Sequence, residues 1–217
     1  MKLIQPVLLL NKQLHCSVIN GIDYFYSMYE PLLKNAFAPT ELDLSTHEFF
    51  FNCWEEIAYK RGDFITEAGK VEKYFYVVIE GVQAIYILTP NGEKKVIGFS
   101  FDGSFSGVYD SFIKQNESHY FLEALTPTRM IRMNFKDYEQ LFELYREFDK
   151  WGRVVHQELL IGRVQREVEL ITLSAKERFD VFMKRCPDKL LEIPQKLIAS
   201  YLNMTPETFS RLRASNS

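Results

Sequence analysis

The sequence predicts an α+β fold in which an antiparallel β-roll leads into a long helix and then a C-terminal helix-turn-helix. Three observations predict it. Most of the 18 Phe and 12 Tyr lie before residue 150, a bias that suits packed strands. Between residues 55 and 134, short β-branched and aromatic runs are punctuated by Gly62, Gly69, Gly81, Gly92, Gly98, Gly103 and Gly107. After Asn134 the apolar spacing becomes helical. With 217 residues, 47% of them hydrophobic, the chain can bury a real core. A net charge of −3 excludes a protein that coats nucleic acid through bulk electrostatics, so any DNA contact must be local.

In chain order, the apolar run from Leu3 to Leu10 is short and broken by Gln5 and Pro6, and no small-residue cleavage pattern follows it. A cytoplasmic protein without membrane insertion is expected. Residues 22–37 repeat apolar side chains at helical spacing, with Pro31 able to kink or restart the helix. The clearest hairpin joins VQAIYIL (82–88) to KKVIGFS (94–100) across Thr89-Pro90-Asn91-Gly92-Glu93, where Asn-Gly readily adopts positive φ.

KDYEQLFELYREF then forms a short amphipathic segment, and a second helix runs to about Ile171. Within it Val154, Ile161 and Val168 recur every seven residues, with Val164 and Ile171 three further on. This is the seam of a short coiled coil, interrupted by the polar Gln157, and it predicts a homodimer. The alternative is a helix packed only on its own domain. Ser174-Ala175-Lys176-Glu177 matches a capping box, so a new helix should start there after a joint at 172–174. The expected division is a sensor domain with its helical lead-in at 1–147, a dimerisation helix and hinge at 148–173, and a DNA-binding unit at 174–217. That last segment carries eight Lys and Arg against five Asp and Glu, +3 in a chain totalling −3.

Residues 193–213 read as two short helices and a tight turn. Pro194 suits a first helical position; Leu197, Ile198, Tyr201 and Leu202 give one apolar face; Ala199 is small where a second helix approaches. Asn203 tolerates the left-handed turn conformation, Thr205 can cap the next helix, Pro206 fits its first position, and Phe209 and Leu212 face inward. Glu207, Thr208, Arg211 and Arg213 are left on the outside or its edges. Thr, Glu and Arg near a helix N-terminus have the chemistry of major-groove readout, Arg pairing with guanine and Glu accepting from cytosine. Gln195 and Lys196 suit phosphate contacts. The same pattern also fits a plain helical hairpin.

The stretches GDFITEAG (62–69), YFYVVIEG (74–81), Asn91-Gly92 and DGSFSG (102–107), followed by LIASYLNMTPETFSR (197–211), resemble the cyclic-AMP receptor protein and fumarate-nitrate regulator family of bacterial transcription factors over most of residues 50–213. The resemblance implies a cyclic-nucleotide-binding-like β-roll and a winged-helix-like DNA-binding unit, with Thr205, Glu207, Thr208 and Arg211 at recognition positions. It implies double-stranded DNA, a second copy of the chain and RNA polymerase as partners, and no enzymatic activity or catalytic residues. The sequence ends four residues after Arg213, so the family's β-hairpin wing is expected to be absent.

The resemblance fails where a nucleotide would bind. Family members use a glycine-glutamate step for the ribose and an arginine for the cyclic phosphate; here Ser106-Gly107 is followed by Val108, and the stretch where the arginine is expected reads Asn116-Glu117-Ser118-His119. The long-helix positions for adenine contacts hold Leu159 and Leu160, which offer no hydrogen bond. Cyclic AMP is therefore not expected as effector; another small molecule, or none, acts on the roll. Cys16, Cys53 and Cys186 are too few and too scattered for an iron-sulfur cluster or a disulfide framework, and are expected reduced and mostly buried. His15, His47, His119 and His156 are isolated, so no metal and no cofactor is expected. The competing reading is a sensor or protein-interaction module of this fold that has lost DNA binding.

Overall fold

The computed structural model describes residues 21–37, 48–185 and 192–215. The apolar run at 3–10, Cys16, Cys186, His15 and His47 lie outside them. Two helices, α1 (Gly21–Phe37) and α2 (Glu48–Asn52), precede eight strands. These are β1 (Glu55–Tyr59), β2 (Phe64–Thr66), β3 (Tyr74–Glu80), β4 (Gln83–Leu88), β5 (Lys94–Ser100), β6 (Phe105–Ser106), β7 (Phe121–Ala124) and β8 (Thr128–Asn134), with a short helix α3 (Tyr109–Lys114) between β6 and β7. They form two four-stranded antiparallel sheets, ordered β1-β8-β3-β6 and β2-β7-β4-β5. This is the expected roll.

Pro31 does not restart the chain into a second helix, since α1 continues across it. The β4–β5 hairpin forms where expected, its turn closed by the Thr89 amide donating to the Glu93 carbonyl at 3.0 Å and the Glu93 amide to the Thr89 hydroxyl at 3.0 Å. Only Gly92 of the Asn-Gly pair takes positive φ, at +81°. Gly81 is also required: its φ is +108°, and a Cβ there would sit 2.6 Å from the Pro127 carbonyl oxygen.

The helical half begins with α4 (Phe135–Leu144), capped by the Asn134 side chain accepting from the Asp137 amide. The chain then breaks at Tyr145, three residues earlier than the sequence pattern implies, and α5 (Arg146–Thr172) runs for 27 residues. The break lets Phe148 and Trp151 turn into the core, where Phe37, Phe50, Phe75, Phe105 and Phe142 ring the Trp151–Phe148 pair. The Phe37 ring stacks on Trp151 with centroids 4.6 Å apart. Burying these aromatic faces contributes to the apolar stabilisation of the roll. Cys53 is buried there, donating to the Phe49 carbonyl, and burial pushes its thiol up to about 12.

Three helices follow: α6 (Ala175–Arg185), α7 (Gln195–Tyr201) and α8 (Pro206–Ser215). The capping box forms reciprocally, with the Ser174 amide on the Glu177 carboxylate at 2.8 Å and the Glu177 amide on the Ser174 hydroxyl at 3.3 Å. These helices share a second core with the roll, in which Phe179, Phe182, Leu197, Ile198, Ala199 and Phe209 pack with Val82, Tyr86 and Val96 of the hairpin. Among the described residues, no helix is long and apolar enough to cross a membrane.

Candidate nucleic-acid interface and sensor pocket

The α7–α8 unit is built largely as its residues dictate. Asn203 takes φ +52°, the Thr208 amide donates to the Thr205 hydroxyl at 3.2 Å, and Pro206 opens α8. Pro194 differs, standing one residue before α7 with extended ψ rather than inside it. Ala199 is fully buried, and Phe209 is buried against Phe179 with ring centroids 5.4 Å apart. Those contacts turn the opposite face outward. Gln195, Lys196, Thr205, Glu207, Arg211 and Arg213 are exposed, and Thr208 is half-buried. The Arg211 guanidinium reaches back to the Thr208 hydroxyl at 3.5 Å.

Two further contacts, absent from the sequence patterns, hold α7 in place. Arg166 of α5 donates to the Tyr201 carbonyl at 2.6 Å and stacks over its ring at 3.6 Å, while Arg178 of α6 donates to the Leu202 carbonyl at 2.9 Å. Both cations sit at the carbonyl end of α7, where the helix dipole favours them. On the other side the Ser200 hydroxyl donates to the Lys94 carbonyl at 2.8 Å and accepts from the Val96 amide at 3.0 Å, pairing the outer edge of β5.

The second half of α5 carries an apolar stripe with no partner among the described residues. Ile161, Val164, Val168 and Ile171 are 56%, 50%, 51% and 77% exposed. Val154 is half-buried and Gln157 exposed. Leu159 and Leu160 are exposed on the same helix, away from the core of their own roll.

Inside the roll the candidate pocket residues scatter. Ser106 joins a buried polar chain, its hydroxyl 2.8 Å from that of Ser100, which donates to Gln83, which in turn donates to Thr128. Ser118 is buried, donating to the Tyr120 carbonyl. Glu117 is exposed rather than turned into the roll. The carboxylate beside Gly107 and Val108 is instead Glu72, only 2% exposed. It accepts from the Thr66 hydroxyl, from the Tyr74 amide at 3.1 Å and from the Val108 amide at 3.4 Å. Burial raises its pKa, against the lowering pull of those hydrogen bonds. No sequence pattern marked Glu72; an acidic residue flanked by Val71 and Lys73 reads as an ordinary exposed turn. His119 is exposed, and His156 meets the Tyr109 hydroxyl. Among the described residues no group of three or more His, Cys, Asp or Glu could hold a metal ion.

Comparison with known proteins places this architecture. Residues 56–145 match the cyclic nucleotide-binding domain. The nitrogen fixation regulation protein FixK of Bradyrhizobium diazoefficiens is 27% identical over 181 residues, covering 79% of this chain and 76% of that protein. The chain is thus similar to the cyclic-AMP receptor protein and fumarate-nitrate regulator family. The transcriptional activatory protein AadR of Rhodopseudomonas palustris is 25% identical, covering 79% of this chain and 74% of that protein. Among solved structures, FixK2 from Bradyrhizobium japonicum superposes with a TM-score of 0.65 at 19% identity, covering 75% of this chain and 83% of that one. That likeness confirms the fold of the family's β-roll.

Proposed function

We propose that this chain is a transcription regulator that binds a pseudo-palindromic operator as a homodimer, through α7 and α8, without cyclic AMP as its effector. The observation that carries this reading is the outward face of α8. A helix whose inner side is fixed by Phe209 leaves Glu207 and Arg211 exposed near its first turns, beside a cap at Thr205 and the cation Lys196. That is the arrangement by which a recognition helix reads base edges while its neighbour meets phosphate. The exposed stripe on α5 supports pairing of two chains through that helix, because an unpartnered apolar row of this size in water favours association. Two reading helices related by a two-fold axis would enter successive major grooves about 34 Å apart.

Arg211→Ala tests the reading directly. On a site selected from random duplexes it should cost about 1–3 kcal/mol and relax preference at one base pair. A variant that keeps both affinity and preference removes Arg211 from the interface. The effector part of the reading is supported by Glu72, whose buried carboxyl group accepts from the Val108 amide and so occupies the space beside Gly107 without supplying a cation to meet a phosphate. Calorimetry should therefore detect no tight cyclic AMP binding; a micromolar dissociation constant would overturn that part alone.

A further inference from the structure

The hairpin turn of the roll flanks the α7–α8 unit. Between them lies a groove of about 660 Å³, with residues 92–95 on one wall and Lys196 with residues 203–206 on the other. We infer that the β4–β5 hairpin is a second DNA-backbone contact, with Lys95 meeting the phosphates that run past Lys196 and the start of α8. The inference rests on the DNA-binding reading above and extends it to the sensor domain.

Four observations carry it. The groove is continuous with the outward face of α8, since Thr205 and Pro206 line the one and begin the other. The hairpin stands beside that face and does not cover it, because Thr205, Pro206, Glu207 and Arg211 all remain exposed. Its position is held rigidly, Ser200 bonding both the Lys94 carbonyl and the Val96 amide on either side of Lys95. Lys95 therefore moves with α7 and arrives at a duplex with it, so little ordering is left for binding to supply.

The charges are also divided suitably. Lys94 is committed to the protein, ion-paired with Glu123 and lying 4.5 Å over the Tyr86 ring. Lys95 is 54% exposed, and among the described residues its one ion pair is with Glu93 at 3.2 Å, itself 58% exposed. Such an exposed pair is weak and exchanges readily for a phosphate, which is a better charge match for a lysine held at a DNA surface. Glu93 is the opposing element, and its removal should strengthen the contact.

The test uses the full chain and fluorescence anisotropy on a selected duplex and on random duplexes, between about 50 and 200 mM salt. Lys95→Ala should weaken binding to all sequences alike and lower the salt slope by about 0.9, leaving the loss of affinity across that range about three- to fourfold smaller, with base preference intact. Glu93→Gln should do the reverse. Lys60→Ala should change nothing: it stands at the opposite end of this sheet, where Gly62 bonds the carbonyl of Ala124, the partner of Gln83 at the start of β4. A wild-type salt slope in Lys95→Ala, with the slope lowered in Lys196→Ala, would overturn the hairpin contact while sparing the DNA reading. Tighter binding by Lys95→Ala would overturn it too, marking the hairpin as an obstruction. A wild-type chain with no salt-dependent retention on DNA would bring down both.

Discussion

The two halves of α5 are one continuous helix with opposite surroundings. Its first turns bury Phe148, Trp151 and Gly152 within the aromatic core of the roll, and its last four turns leave Ile161, Val164, Val168 and Ile171 in water. Both stretches are rich in apolar residues. What separates them is the partner: the first half meets α1, α2 and α4, whereas on the second half, among the described residues, it is the side bearing Arg166 and Glu169 that is engaged, by Tyr201 and Arg185. An apolar residue is therefore evidence of an interface, and the fold decides whether that interface lies within the chain or between chains.

Substitutions in the two halves should separate folding from association. The largest effect is expected from Trp151→Ala, which opens a cavity among the rings of Phe37, Phe105 and Phe148 and should cost about 3–5 kcal/mol, read as a lower denaturant midpoint. An unchanged midpoint would mean that the first half is not core. Combining Ile161→Asp with Val168→Asp should leave folding nearly intact, because both side chains are exposed, yet reduce the light-scattering mass from twice 25.6 kDa to that of a single chain. A wild-type chain that scatters as a monomer at micromolar concentration would break the comparison at its second term. The smallest effect should come from Gln157→Leu, which removes the polar interruption of the stripe and should tighten the dimer by on the order of 1 kcal/mol, measured by sedimentation.

Elements whose cause is local were legible from the residues. The Ser174 and Glu177 box, the Thr205 cap, left-handed Asn203 and the β4–β5 turn each depend on side chains within four positions of one another, so a short window contains the whole argument. The failures are of another kind. The break at Tyr145 follows from Trp151 and Phe148 seeking the roll, and no cap or proline announces it. Pro194 stands outside α7 although its type suits a first turn.

For the candidate site, the residues of α7 and α8 were readable because an amphipathic helix states its own outward face. The roll pocket was not. Glu117 sits at the position the family pattern points to yet faces solvent, while Glu72 reaches Val108 from 36 residues away.

By itself, then, the sequence determined the β4–β5 hairpin, the starts of α6 and α8, the turn at Asn203 and which face of α8 is polar, since periodicity and capping act over one or two turns. Only the tertiary structure decided that Glu72 is the buried carboxyl group beside Val108, that Ser200 pairs the edge of β5 across 104 residues and that Arg166 holds the end of α7. Those contacts join segments far apart in the chain, and their partners are selected by how two packed layers meet, which no local pattern encodes.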